Sequence, residues 1–363
     1  MKVQKISLET IASEAGVHKA TVSRALRNHP TIPAKTRERV QKIANELGYR
    51  PNPLVSMFQA QARAHRPQRL QAKLGWINDY PNARCWQEFP WLRGYYEGAR
   101  ERCETMGYQL EQLDLGRNGA SPSEEVRRVS KQMAQNGIYG IILPLILNAA
   151  YLETPWKNCV VSVIGGGHHR RRKEAPDFRH LHYPQGFPSA DRDLFFNARL
   201  TFHQLTELGY SRIGFVYSAY LDNEAHGRAH AGFLIEQGQR PKSSRVPILF
   251  LEKFKEGRPA AFDEWMDAHR PDVIICVNPV IRLWVESLGL EAPKDIGLAN
   301  LNLVEDVSDW SGVTENHGAV GAAAVDLILS ALSRNELGLN PEPRKILVPG
   351  RWVSGETLRH PQG

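Results

Sequence analysis

Cysteine is scarce in this sequence, and the chain has no long hydrophobic run. The four cysteines, Cys85, Cys103, Cys159 and Cys276, are widely separated and form no CxxC pair, which is typical of buried thiols in a reducing compartment and argues against a disulfide framework. The longest apolar stretch, residues 138–150, is interrupted by a glycine and a proline and is too short to cross a bilayer. Because the N-terminus also lacks the pattern of a signal peptide, we expect a cytoplasmic protein without membrane contacts.

Signature motifs of enzymes are missing as well. The sequence has no GxSxG, no HExxH, no phosphate-loop lysine motif and no carboxylate pair on a recognisable scaffold. The glycines at 165–167 follow a predicted strand without the GxGxxG spacing of a nucleotide site. His168, His180 and His182 lie in a basic stretch that is either a metal site or a solvated loop inserted after a strand, and we favour the loop. We therefore predict no enzymatic activity, no cofactor and no metal.

Positive charge is concentrated in the first fifth of the chain. The net charge is +7, and residues 1–70 hold 13 Lys and Arg against 4 Asp and Glu. The remainder is close to neutral, with 33 basic and 35 acidic residues. A small basic module on a neutral body is typical of nucleic-acid binding, because Lys and Arg release condensed counterions when they neutralise phosphates.

Three short helical patterns follow one another in this basic segment. Apolar residues recur at helical spacing in SLETIASEAG, HKATVSRAL and PAKTRERVQKIANEL. Gly16 permits a sharp turn between the first two patterns, Pro33 suits the first turn of the third helix, and Gly48 suits its end. Two helices joined by a tight turn and braced by a third form a helix-turn-helix, whose second helix enters the major groove of DNA.

The outward side of the second helix indicates how it would contact DNA. Arg24 can bond both acceptors on a guanine edge, whereas Ala20 can make only apolar contact, for instance with a thymine methyl. Thr21 and Ser23 are suited to phosphate contacts that fix the register. The alternative is a merely solvated basic face. The residues outside the apolar face are Lys19, Ala20, Thr21, Ser23, Arg24 and Arg27.

The motifs AGV, TVSR, KTRERV and LGYRPN all lie within residues 7–53. In residue type and spacing they resemble the DNA-binding headpiece of the lactose-repressor/galactose-repressor (LacI/GalR) family. His18 stands where the family usually has a capping Ser or Thr, which predicts a weaker cap, and Ala20 stands where many members have a polar base-reading side chain. The resemblance implies further DNA contacts from Thr31, Thr36, Tyr49 and Asn52.

In this family the segment after the headpiece is a hinge that becomes helical on DNA and inserts an apolar side chain into the minor groove. The matching position is Phe58, and Phe can act as such a wedge; the alternative is that Phe58 packs against the core. The link to the first core strand is longer than the family leads us to expect. We place a headpiece with hinge at residues 1–60, a linker at 61–72, and an effector-binding and dimerisation domain at 73–363.

Beyond residue 72, short apolar runs alternate with amphipathic stretches of helical length. Alternating β and α elements predict parallel sheets covered by helices, and so many strands suit two doubly wound parallel-sheet subdomains better than one barrel, an α/β fold. Ligands of such folds bind at the carboxyl ends of strands, and the crevice between two sheets is the expected site. The predicted strands are LGWIN, YQLEQL, YGIILP, VVSVIG, RIGFVY, PILFL, VIICVN and IGLANL.

This body resembles, more weakly, the effector domain that the family shares with periplasmic sugar-binding proteins. By position the resemblance implies a cleft in which Trp91 stacks on a sugar ring and Arg228 and Asn278 donate to hydroxyls; the alternative for Trp91 is ordinary core. Arg228 is displaced by one position from the arginine of the family's RxxGF motif. Asn302 stands where relatives carry an aspartate, and Glu315 where several carry Gln. Each departure argues against an ordinary sugar effector.

Together these features predict a sequence-specific DNA-binding transcription regulator. The sequence does not distinguish a repressor from an activator, and we favour a repressor. The resemblance implies that it is a homodimer, that it binds a near-palindromic double-stranded operator, and that a small molecule, sugar-like in the family, controls its affinity. The alternative is a regulator whose core binds a non-sugar ligand or none and acts constitutively. A sugar-binding transport protein would share the fold of the body but would need a signal peptide and would carry no helix-turn-helix.

Overall fold

The computed structural model describes residues 7–26, 31–47, 49, 72–78, 87, 89–115, 121–144, 159–164, 187–252, 254–255, 257–304, 309–334, 336–338, 340 and 342–359. The chain divides into two compact units, one of Met1–Gln68 with Leu332–Asn335 and one of Arg69–Ala331 with Glu336–Gly363. We call the N-terminal residues of the first unit the headpiece and the second unit the body, and each is described by itself.

The described residues of the headpiece form three helices, α1 (Leu8–Ala15), α2 (Lys19–Ala25) and α3 (Ala34–Glu46). Their apolar faces meet in one core, in which the side chains with no solvent exposure are Ile11, Val22, Ala25 and Val40. The predicted arrangement of three packed helices is confirmed. One boundary differs: Pro33 precedes α3 as its N-cap residue rather than lying in its first turn.

The first sheet of the body has six strands, and all their pairings are parallel. The order across the sheet is β11-β5-β4-β3-β1-β2. Helices α4 (Pro90–Thr105) and α5 (Pro122–Asn136) connect strands of this sheet. The strands are β1 (Ala72–Asn78), β2 (Tyr108–Asp114), β3 (Ile138–Leu143), β4 (Val160–Ile164), β5 (Ser189–Arg192) and β11 (Lys345–Val348).

The second sheet also has six strands, in the order β12-β10-β9-β8-β6-β7, and only β12 runs antiparallel. The strands are β6 (Ile213–Ser218), β7 (Leu249–Leu251), β8 (Val273–Cys276), β9 (Gly297–Leu303), β10 (Ser311–Thr314) and β12 (Arg351–Val353). The helices between them are α6 (Leu194–Glu207), α7 (Ala219–Glu224), α8 (Arg228–Gly238), α9 (Ala260–His269) and α10 (Val280–Ser287), with a 3-10 turn at Lys242–Ser244.

Strand β6 shows why this sheet needs helices on both faces. Phe215 and Tyr217 point into one apolar cluster, whereas Val216 belongs to the cluster on the opposite face. Every residue of β6 is buried, which is the pattern of a strand in a parallel sheet that is covered on both sides. The two predicted doubly wound sheets are thereby confirmed.

The chain passes between the two sheets three times. It leaves β5 for α6, returns after β10 into the last helix, α11 (His317–Ser333), and leaves β11 again for β12. The first and third passages are joined by hydrogen bonds, because the Asp193 N–H donates to Val348 O at 2.8 Å and the Gly350 N–H donates to Asn197 Oδ1 at 2.7 Å. These passages set the arrangement of the two sheets within the body.

Helices α4 and α11 pack closely through glycines. A Cβ atom at Gly98 would lie 2.0 Å from Gly318 O, and one at Gly321 would lie 2.0 Å from Tyr95 O. Real Cβ atoms do not approach backbone oxygens so closely, so this contact between the two backbones requires glycine at both positions.

Three of the four cysteines lie in the described residues, and all three are buried free thiols, as predicted. Burial raises the pKa of the thiols of Cys103, Cys159 and Cys276 to about 12. Within the described ranges, no helix is both long and apolar enough to span a bilayer.

Candidate functional site

The first candidate site is the outward surface of α2. Helix α1 ends at Gly16, whose φ of +61° turns the backbone sharply, and the Val17 N–H donates to Ala12 O at 3.0 Å to close the turn. His18 then caps α2, because its Nδ1 accepts from the Ala20 N–H at 3.2 Å. The imidazole thus makes a capping hydrogen bond of its own, and the weaker cap expected at His18 stays a prediction.

The residues of α2 that we predict to contact DNA are exposed or half-buried. Lys19, Ala20 and Arg24 are open to solvent, and Thr21 and Ser23 are half-buried. The sequence pattern thus separates the inward from the outward face of the helix correctly.

Lys19 is engaged in a local ion pair with Glu9 of α1. The hydrogen bond from Lys19 lowers the pKa of the Glu9 carboxyl. Both side chains are more than half exposed, so the ammonium group can exchange this partner for a phosphate at little cost.

Three further predicted DNA contacts lie around the headpiece core. Thr31 is exposed, while Thr36 and Tyr49 are half-buried, and the Tyr49 N–H donates to Ala44 O at 2.8 Å. Desolvation raises the pKa of the Tyr49 phenol, with a further contribution from the charge of Glu9. The remaining predicted contacts, Arg27, Asn52 and Phe58, lie outside the described residues, as do His168, His180 and His182.

The second candidate site is a cavity of about 70 Å³ in the body, which is room for a few water molecules. It opens where strands β5, β6, β8 and β9 end, the position at which doubly wound sheets bind ligands. Its apolar lining consists of Leu194, Leu221, Ala225, Ala229, Val277 and Leu301. Its polar lining consists of Arg192, Asn197, Tyr217, Arg228, Asn302 and Glu315.

Arg228 is held in place by three hydrogen bonds. Nη2 donates to Asp191 Oδ2 at 2.6 Å, Nη1 donates to Arg192 O at 3.1 Å, and Nε donates to Ala225 O at 2.9 Å. The side chain is 15% exposed, and that of Asp191 is fully buried. Although Arg228 is displaced from the family motif in sequence, it lines this cavity from the first residue of α8.

Arg192 links two of the passages between the sheets. Its Nη1 donates to Glu315 Oε2 at 2.8 Å, and its Nε lies 3.6 Å from Asp191 Oδ1. His317 Nε2 lies 3.2 Å from the same Glu315 oxygen. Burial by itself raises the pKa values of Asp191 and Glu315. Arg192 acts together with Arg228 at Asp191 and with His317 at Glu315, and the combined effect of these groups outweighs burial, so both pKa values are lowered. Both carboxylates are therefore ionised at neutral pH.

Two amide side chains of the cavity have unused hydrogen-bonding capacity. Among the described residues, Asn302 Oδ1 and Asn197 Nδ2 have no hydrogen-bond partner although both atoms are buried. Buried polar atoms without partners are costly. A ligand that supplies a donor and an acceptor near these atoms would remove that cost.

Two predicted effector residues do not line this cavity. Trp91 is half-buried on α4, with its ring 5.7 Å from that of Phe89 and 6.1 Å from that of Tyr95 between centroids. Asn278 follows β8, and its Oδ1 accepts from the Val280 N–H at 2.9 Å at the start of α10. The structure thus brings together Arg228, Asn302 and Glu315 of the five predicted residues and leaves these two apart.

Sequence reasoning missed Asp191, Arg192, Asn197 and Tyr217. Asp191 and Arg192 belong to the polar segment SADR, whose composition does not suggest a buried strand. Tyr217 lies in a predicted strand, at a position whose pattern indicates a core residue and not a cavity residue. Within the described part of the chain, no cluster of three or more His, Cys, Asp or Glu could hold a metal ion.

Comparison with known proteins places these sites in context. Residues 7–52 match the family model "Bacterial regulatory proteins, lacI family". The chain is 46% identical over 58 residues to the HTH-type transcriptional regulator IdnR of Escherichia coli strain K12, a match that covers 16% of this chain and 18% of that protein. The chain therefore aligns with less than a fifth of the length of that curated relative.

Solved structures resemble the whole chain in fold. The transcriptional regulator CelR in complex with cellobiose matches 97% of this chain and 99% of its own with a TM-score of 0.52 at 18% identity. The lac repressor dimer bound to operator and the anti-inducer ONPF matches 98% and 99% with a TM-score of 0.52 at 16% identity. At these identities the likeness establishes the fold. Residues 7–52 are thus similar to the N-terminal domain of lacI-family regulatory proteins, and the chain has the fold of these two solved regulators.

Proposed function

We propose that the protein is a sequence-specific DNA-binding transcription regulator of the repressor type, without enzymatic activity, that acts in the cytoplasm on double-stranded DNA. The observation that carries this proposal is the exposed face of α2, with Lys19, Ala20 and Arg24 outward on a complete helix-turn-helix. The match of residues 7–52 to the lacI family supports it. Charge supports it too, because the excess of basic residues lies in this segment.

The DNA partner proposed is a near-palindromic operator bound by a homodimer. One headpiece offers few base contacts, and a two-fold pair of headpieces doubles them on a palindrome. The test is selection from random duplex DNA with the purified full-length chain, followed by sedimentation of the complex. Recovery of an inverted repeat by a dimer is the expected result, whereas recovery of no preferred sequence would refute sequence-specific binding.

The hinge adds a second proposal about the same DNA. Phe58 would enter the minor groove at a central, easily unstacked pyrimidine–purine step. Phe58→Ala should then weaken operator binding by about tenfold or more and reduce DNA bending, with no change in the stability of the body. Retained bending, or a destabilised body, would instead make Phe58 a packing residue.

The cavity between α8 and the ends of β6 and β9 is proposed as the effector site, with Arg228, Asn302 and Glu315 as contacts. Trp91 and Asn278 remain proposed contacts, although they stand outside the present cavity. A thermal-shift screen of small metabolites tests this proposal, since a ligand of the folded state raises its stability. Asn302→Ala should abolish the response to any hit and leave operator binding without ligand intact, because the Asn302 Oδ1 atom makes no hydrogen bond to any described residue that the substitution would break. If no metabolite stabilises the protein or alters operator affinity, it is a constitutive regulator.

A further inference from the structure

The cavity wall contains two arginines, and each already has a carboxylate partner. Arg228 Nη2 donates to Asp191 Oδ2 at 2.6 Å, and Arg192 Nη1 donates to Glu315 Oε2 at 2.8 Å. The carboxylate side chains are 0% and 3% exposed, so solvent screens neither pair strongly. Because two positive and two negative charges are adjacent, the arginines present almost no net charge to a ligand.

An anionic ligand would meet an unfavourable environment here. Unpaired guanidinium groups recognise carboxylates and phosphates by bidentate hydrogen bonds. At Arg192, however, an incoming anion would have to compete with Glu315, and both negative charges would then share a poorly screened site. The other polar residues of the lining, Asn197, Tyr217 and Asn302, add no positive charge that would offset this repulsion.

An uncharged polar ligand meets no such obstacle. Arg228 uses three of its guanidinium N–H groups in the bonds to Asp191, Arg192 and Ala225, and a guanidinium has five. The remaining N–H groups can donate to a hydroxyl or carbonyl oxygen without displacing a carboxylate. Apolar side chains such as Leu194 and Leu301 cover the rest of the wall.

We propose that Glu315 is a specificity-determining residue that excludes anionic ligands by occupying the Arg192 guanidinium, so that the cavity accepts an uncharged polar molecule. This inference rests on the proposed role of the cavity as the effector site, but it concerns only the charge of the ligand.

The test uses the full-length protein and inorganic sulfate as the probe. Glu315→Gln keeps the shape of the side chain and removes the charge that neutralises Arg192. The matched control is Glu236→Gln. Glu236 is also buried and paired with an arginine, Arg199, but neither residue lines the cavity. Thermal unfolding is followed as sulfate replaces chloride at constant ionic strength. Sulfate also stabilises proteins by exclusion from their surface. This contribution is common to all variants, so a difference between variants reports binding in the cavity.

Glu315→Gln should gain a saturable sulfate response, with a dissociation constant at least about tenfold below that of the wild type, while Glu236→Gln should behave as the wild type does. The double variant Arg192→Gln/Glu315→Gln should lose the gain. An equal response in wild type and Glu315→Gln overturns the proposal.

The wild type provides a second measurement that does not depend on the folding of Glu315→Gln. It should be indifferent to sulfate and should never prefer a sugar acid, such as gluconate or galacturonate, to the corresponding neutral sugar. A saturable sulfate or sugar-acid response that Arg192→Gln abolishes overturns the proposal. Failure of the DNA selection would refute the regulator function but would leave the sulfate measurements valid. Failure of the regulator proposal is therefore distinguishable from failure of the proposal about Glu315.

Discussion

Arg192 Nη1 donates to Glu315 Oε2 across 2.8 Å, and this pair joins the end of β5 to the segment that follows β10. The contact therefore ties the first passage between the two sheets to the second. Both residues also line the cavity. A ligand in the cavity would contact the same groups that hold the passages together, which is a direct physical route from ligand to subdomain arrangement.

Removal of either Arg192 or Glu315 alone should lower the free energy of unfolding much more than removal of both. Arg192→Leu leaves the Glu315 carboxylate buried without its main partner and should lower the free energy of unfolding by roughly 3 kcal/mol. The double variant Arg192→Leu/Glu315→Leu removes both charges and should recover most of that loss. Urea unfolding of both single variants and the double variant gives the coupling energy. Additive losses would mean that the pair contributes no coupling.

A second prediction about stability follows from the glycine contact between α4 and α11. Gly98→Ala would place a Cβ atom 2.0 Å from Gly318 O, so the helices must move apart at a cost of about 1–3 kcal/mol. Gly238→Ala is the matched control, since Gly238 ends α8 with no heavy atom within 4 Å of the added methyl. That change should be neutral or slightly stabilising. Equal thermal unfolding of the two variants would refute a tight contact at Gly98.

Much of the fold could be predicted because it depends on strong local patterns. The eight apolar runs predicted as strands are strands, and the three headpiece helices have the predicted inward faces. The four strands that were missed, β5, β10, β11 and β12, are three or four residues long. Their burial comes from pairing with distant strands, as when Val348 of β11 pairs with Arg192 of β5, and such long-range pairing leaves no periodic signal in a short segment.

The site was harder to predict than the fold. Arg228, Asn302 and Glu315 were found by position in a family pattern, and they share one cavity. Asp191 and Arg192, which pair with Arg228 and Glu315, were not predicted, because a charged segment is typical of a surface loop. It is buried only because Arg228 and Glu315, far away in sequence, neutralise its charges.

The lowered pKa values of Asp191 and Glu315 predict acid sensitivity of the body. A carboxyl whose pKa is lower in the folded than in the unfolded chain stabilises the fold above its unfolded pKa, about 4 for Asp and Glu. That stabilisation is lost as the pH falls through the folded-state pKa. The free energy of unfolding should thus decrease below about pH 4, and the decrease should be shallower in Glu315→Gln. Urea unfolding at a series of pH values checks this, and parallel curves for the two proteins would contradict it.

Arg24 provides the sharpest test of the headpiece. Its side chain is exposed on α2 and lies in the last turn of that helix, and a guanidinium there can make a bidentate contact to guanine. Arg24→Ala should weaken binding to the selected operator by about 1–3 kcal/mol and binding to random DNA much less. Lys42→Ala is the control, because Lys42 is also an exposed cation but lies on α3, outside the recognition helix, and its substitution should not alter sequence preference.

Fluorescence anisotropy on both DNAs at two salt concentrations separates the possible roles of Arg24. A base-reading arginine reduces the ratio of specific to random affinity, whereas a phosphate contact weakens both affinities equally and lowers the salt dependence. Ala20→Gln extends the test, since a polar side chain beside Arg24 should change the preferred base at one position of a randomised site. If Arg24→Ala weakens both DNAs equally and Ala20→Gln leaves the preference unchanged, α2 does not read sequence through this face.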